Sequence, residues 1–153
     1  MLASSGVLSF ALLGDALLYA VLPVHAAAFG ITLAWVGILL SANRFIRVFA
    51  YGYIARLGEV MGYRSLCIWS CAGAVISTAM YGVADGEWAL LAARCLWGLS
   101  YAALVLVTLA YSVRVRAEVG SRVGWSRAIQ RLGPLLALVG GAWLTGILGP
   151  RTI

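Results

Sequence analysis

The sequence predicts an all-α membrane protein: a single domain (1–153) folded as a bundle of about five transmembrane helices, with its N-terminus in the cytoplasm. Three observations lead there. The chain is 63% hydrophobic and only 10% charged, with a mean hydropathy of +0.99, whereas soluble domains are about half apolar and about a quarter charged. Five apolar runs each approach or exceed the ~18–20 residues that cross a bilayer core. The arginines between those runs fall almost entirely on alternate connections, the bias that orients membrane proteins.

The first run covers residues 6–24. A cleaved secretory signal would open with basic residues and keep its core uncharged. Here MLASSG has no Lys or Arg, and Asp15 stands in the middle of the run. It therefore reads as a span. The second run, 33–55, contains LLSANRFIRVFAYGYIA, with Asn43, Arg44 and Arg47 embedded in it. The third, 65–83, offers beyond Ser65 at its start only Ser70, Ser77, Thr78 and Tyr81 as hydroxyl residues and reads as a packing helix. The fourth, 88–113, carries Arg94, Gly98, Tyr101, Thr108 and Ser112 along one stripe. The fifth, 125–148, places Arg127, Arg131 and Pro134 on one side, with Gln130 beside them.

Connections between the runs are short. The segments 56–64 (RLGEVMGYR) and 112–127 hold Arg56, Arg64, Arg114, Arg116, Arg122 and Arg127. The turns at 25–32 and 84–87 hold no Arg or Lys, and the tail adds only Arg151. That asymmetry places the N-terminus inside and both arginine-free turns outside. The net charge of +6 and the pI near 9.7 are thus a topology signal. With no soluble domain to carry a basic patch, nucleic acid is not an expected partner; membrane lipid is.

Catalytic and metal chemistry find little support. His25 has no partner in sequence, and Cys67, Cys71 and Cys95 are an odd set within spans, better suited to packing than to a disulfide framework or zinc. The chain contains no H-E-x-x-H, no G-x-S-x-G and no P-loop. It reads as non-enzymatic, with no cofactor and no metal.

The embedded charges carry the functional reading. Arg44 and Arg47 lie 11 and 14 residues into the second run, ~16–21 Å from its outer end. An arginine that deep costs at least ~2.5–3.5 kcal/mol in lipid. Arg44, Arg47 and Tyr51 follow helical 3–4 spacing, so their shared face is expected to look into the bundle or into water within it. Asp15 is the one carboxylate at comparable depth; it marks an ion or substrate pathway by default, and the alternative is an ion pair with Arg44 or Arg94 that merely holds helices together. Arg44, Arg47, Arg94 and Arg131 outnumber it, and a water-filled path that receives an anion would offset their surplus charge. The candidate substrate or ion-coupling residues are therefore Asp15, Arg44, Arg47, Arg94, Tyr101 and Arg131.

Taken in order, these spans resemble the N-terminal half of a major facilitator superfamily transporter. The family's loop between spans two and three, G-x-x-x-D-R-x-G-R-R, is met by Glu59, Gly62 and Arg64, with departures at Ala55, Val60 and Tyr63. Its fourth-span pattern R-x-x-x-G-x-x-x-A is met by Arg94, Gly98 and Ala102. GPLLALVGG resembles the antiporter pattern G-P-x-x-G-G with a longer spacer. The resemblance implies secondary transport of a small solute, here anionic, by alternating access, with coupling protons and with Arg94 in proton or substrate handling. It also implies a bacterial inner (plasma) membrane. Alternatives are a proton-coupled efflux antiporter for amphipathic compounds and a non-transporting assembly subunit. Family members have twelve spans in two halves, so a five-span chain reads as a fragment.

Overall fold

The computed structural model describes residues 2–24, 26, 30–83, 86–113 and 119–148, with backbone only at 21, 141, 142 and 144–148. Five helices follow one another: α1 (Leu2–Val24), α2 (Leu33–Met61), α3 (Tyr63–Val83), α4 (Glu87–Ser112) and α5 (Val119–Leu148). No strand occurs among the described residues. At 1.5 Å per residue the helices are about 31–45 Å long. By length and composition α1–α4 are long and apolar enough to cross a membrane. In α5, Arg122, Arg127 and Arg131 occupy the first half, and the uncharged stretch is 132–148.

Two boundaries differ from the sequence expectation. Residues 56–64 do not form a loop: α2 runs on through Met61, and α3 starts at Tyr63. The segment ARLGEVM is charged like a loop but consists mostly of good helix formers, and only Gly62 breaks it. Gly62 takes φ +81°, which a side chain would resist, and so reverses the chain within one residue. Likewise α5 begins at 119 rather than 125. Gly120 and Gly124 each cost a helix only about 1 kcal/mol, which the packing of the following turns against α1 outweighs. Arg114, Arg116, Arg151, His25 and much of the 25–32 and 84–87 turns lie outside the described residues.

α4 is the hub. It packs along α2 on one side and α3 on another, while α1 packs chiefly along α5 and meets α4 over a short seam. One apolar cluster joins Leu22 of α1, Val36 and Leu39 of α2 and Leu90 of α4. A second joins Ala50 and Ile54 of α2, Leu66 of α3 and Ala102, Ala103 and Val107 of α4. The first sits at the start of α2 and α4 and the second toward their ends, so these two helices run parallel.

Small residues set the closest approaches. The Ser5 and Ser126 hydroxyls are 2.8 Å apart, and the Gly133 N–H donates to the Ser9 hydroxyl at 2.8 Å, so α1 and α5 also run parallel. A Cβ on Gly133 would run into the Ser9 carbonyl. Gly98 plays the same part against Ile46 and Asn43 of α2. Such contacts bind helices where lipid removes any hydrophobic drive between them. The outer surface is apolar: Phe10, Phe49, Trp69 and Val139 are 81%, 81%, 68% and 77% exposed. A water-soluble bundle would not present these residues so freely, whereas lipid accommodates them.

Candidate functional site

Asp15 lies midway along α1 and Arg94 two turns into α4, and the two meet where these helices cross. Arg94 Nη1 donates to Asp15 Oδ1 at 2.5 Å, with the arginine 1% exposed and the aspartate 14%. Tyr19, one turn beyond Asp15, slides its ring beneath the same guanidinium, 4.8 Å from Cζ to centroid. The cation therefore has a carboxylate on one edge and an aromatic face below, a combination that offsets much of its desolvation.

The arrangement continues along α4 at helical spacing. Trp97 follows Arg94 by three residues and is buried, and its ring lies 6.3 Å from that of Tyr101, centroid to centroid. Tyr101 in turn carries the Arg47 guanidinium from α2, 4.7 Å above its ring. Arg47 Nε donates to the Asn43 carbonyl at 3.0 Å, which fixes the side chain along its own helix. Asp15, Arg94, Tyr101 and Arg47 thus form one polar and aromatic line through the α1–α4–α2 junction. Among the described residues Asp15–Arg94 is the only ion pair.

On the α3 side of the pair is a cavity of about 20 Å³ lined by Gly14, Asp15, Leu18, Thr78, Tyr81, Arg94 and Trp97. The Tyr81 hydroxyl, Arg94 Nε and Nη2 and Trp97 Nε1 are buried without a hydrogen-bond partner. Unmet buried donors cost ~1–3 kcal/mol each. This cavity shares Gly14, Thr78 and Trp97 with a broad apolar groove of about 640 Å³ between α1 and α3.

Other sequence candidates lie elsewhere. Arg44 is exposed and does not turn into the packed interior, one of the two surroundings expected for its face. The buried stripe of α2 runs through Val36, Leu39, Asn43, Ala50 and Ile54. One residue turns the helix by ~100°, so Arg47 falls on the edge of that stripe and Arg44 well off it. Arg131 is also exposed. On α5 it is Ser126, Gln130, Gly133 and Ala137 that are buried, with Gln130 donating to Ser126 at 2.8 Å. Glu59, Gly62 and Arg64 are exposed at the α2–α3 turn, remote from the pair.

Sequence reasoning missed Tyr19, Tyr81 and Trp97. Two of these had a signal, since Tyr19 is four residues from Asp15 and Trp97 three from Arg94. Tyr81 had none, and its role corrects the view of α3 as packing alone. Ser70 and Ser77 do pack, donating to the carbonyls of Leu66 and Ala93. Among the described residues no group of three His, Cys, Asp or Glu is placed to hold a metal. Comparison with known proteins finds no matching family model, no similar curated protein and no similar solved structure.

Proposed function

We propose that the chain forms half of a secondary transporter of the major facilitator type, moving a small anionic solute across a bacterial inner membrane by alternating access. The reading rests on one observation above all: Arg44 lies exposed at mid-span, with no carboxylate in ion-pair distance among the described residues. Lipid would charge at least ~2.5 kcal/mol for that exposure, so water or a facing protein surface covers it. A facing half would complete a polar path in which Arg44 and Arg47 attract the anion. Asp15 would accept the coupling proton and loosen its hold on Arg94. Basic residues gather at one end of the helices (Arg56, Arg64, Arg122 and Arg127), and this end would face the cytoplasm.

The test is uptake of a labelled small carboxylate or phosphate into vesicles carrying the protein, driven by an imposed pH gradient. The expected result is accumulation that collapses with a protonophore and is abolished by Asp15→Asn. Uptake that Asp15→Asn leaves fully responsive to the gradient would sink the coupling role. The same exposed arginine also fits a non-transporting assembly subunit, in which a partner chain seals Arg44 from water. No uptake, together with protection of position 44 from water-borne reagents, would favour that second reading.

A further inference from the structure

We propose that the cavity between α1, α3 and α4 binds one halide-sized anion, and that a proton enters Asp15 when it does. Size sets the first limit. About 20 Å³ holds a single water-sized body, which excludes a carboxylate or phosphate solute. No residue of α2 lines the cavity, so the site is separate from Arg44 and Arg47.

Donor chemistry sets the second limit. Tyr81, Arg94 and Trp97 line the cavity, and four of their polar atoms lack partners: the Tyr81 hydroxyl, Arg94 Nε and Nη2, and Trp97 Nε1. Arginine and indole nitrogens only donate. A water molecule accepts two hydrogen bonds and must then place its own two protons, for which the ionised Asp15 carboxylate is an acceptor that protonation weakens. A halide accepts from every direction and has no proton to place. The Tyr81 hydroxyl lies beside Arg94, whose N–H groups can only donate, so the hydroxyl's own proton is available to such an anion.

Charge supplies the coupling. With Asp15 ionised, the Arg94–Asp15 pair sums to zero, and an added anion would leave net negative charge in a low-dielectric interior. With Asp15 protonated, Arg94 alone faces the anion and the sum is zero again. Each therefore strengthens the binding of the other, as linkage requires, and anion affinity rises as pH falls. Asp15 is the group whose charge opposes the anion. Around it stand Arg94 and Tyr101 from α4, Tyr81 from α3 with Cys95 beside it, and Tyr19 from its own helix. Arg47 of α2 reaches this region only through the Tyr101 ring. The polar groups of α5 along its seam with α1 are Ser126, Gln130 and the Gly133 N–H. The arginines stay charged across this range of pH.

The experiment is equilibrium binding to the purified full chain in micelles, so it does not depend on whether the protein transports anything. Thermal unfolding midpoints are measured in bromide against gluconate at equal ionic strength, at about pH 5 and about pH 8. The expected result is bromide stabilisation at the lower pH and at least ~10-fold weaker affinity at the higher one. Asp15→Asn, neutral at both, should bind bromide with equal affinity at each. Tyr81→Phe removes one donor with little change of shape and should weaken binding about fivefold. Trp97→Phe should do the same, and bromide should appear in the cavity by anomalous scattering from crystals. Equal midpoints in bromide and gluconate at both pH values would mean the cavity holds water, and the proposal falls. It falls equally if Asp15→Asn shows no halide response, or if Tyr81→Phe keeps the full one.

Discussion

Arg94 and Asp15, 79 residues apart in the chain, meet at 2.5 Å with the arginine almost wholly shielded from its surroundings. Their contact has a particular structural consequence. α1 packs chiefly on α5 and touches α4 over a short seam, so the pair is the main polar tie between α1–α5 and the α2–α4–α3 group.

Removing one partner should therefore loosen the bundle at this seam. Arg94→Gln leaves a buried carboxylate without its cation, and Asp15→Asn leaves the cation without its carboxylate. Losses of ~3–5 kcal/mol are expected for such half-broken pairs. The double variant, Asp15→Asn with Arg94→Gln, removes both charges and should recover most of the loss. Unfolding midpoints of the four proteins in micelles give the coupling directly. A double variant no better than the worse single one would show that the pair is not the tie.

The α1–α5 seam makes a separate prediction. A methyl group at Gly133 would land on the Ser9 carbonyl, which is backbone and has little room to yield. Gly133→Ala should cost ~1–3 kcal/mol or more through overpacking. Gly120 and Gly124 lie in the same helix, and a Cβ at either meets open space. Replacing either with Ala should be neutral, or stabilising by up to ~1 kcal/mol through helix propensity. Comparing the three by thermal unfolding separates close packing from propensity, and a harmless Gly133→Ala would refute the seam.

Sidedness follows from the arginines. Reporter fusions after Arg64 and Arg116 should report cytoplasm, and fusions at His25 and Asp85 the outside. The inverse pattern would overturn both the orientation and the transporter proposal.

Some of this was legible in the sequence, and the reasons can be traced residue by residue. Helix count and order came from apolar runs, because run length is dictated by the bilayer itself. A buried acid surrounded by arginines had to find one of them, so Asp15 was recognisable as a partner. Which arginine it takes was not recognisable. Arg44 lies at a similar depth, and the choice depends on α1 crossing α4, a tertiary fact. The 3–4 spacing groups Arg44 with Arg47 and Tyr51, whereas the buried stripe passes through Asn43 and Ala50, so Arg44 does not turn into the packed interior. The 56–64 segment looked like a loop because charge density was its strongest signal, and a cytoplasmic extension of a spanning helix carries the same charges. Tyr81 was invisible as a site residue because nothing local marks an α3 tyrosine that lines a cavity with an arginine of α4.

The last prediction concerns α2, where exposure and chemistry point in different directions. Arg44 is exposed, Arg47 is half-buried over Tyr101, and Phe45 and Phe49 are 66% and 81% exposed on the adjoining face. If a water path runs along the arginine face, single cysteines at 44, 47 and 51 should react with a small charged thiol reagent in membranes. The three native cysteines must first be replaced. Cysteines at 45, 46 and 49 should react far less, because lipid or neighbouring helices shield them. Position 44 should be the fastest, since 47 sits against the Tyr101 ring. Tyr101→Phe keeps that ring and should leave the rate at 47 unchanged. Tyr101→Leu removes the aromatic ring that covers position 47 and should open it toward the rate at 44. Arg47→Lys should weaken an anionic solute, because it loses the two-pronged guanidinium fork, and should hardly affect a neutral one. Protection of all six positions would mean that protein, not water, covers Arg44, and would shift the balance to the assembly-subunit reading.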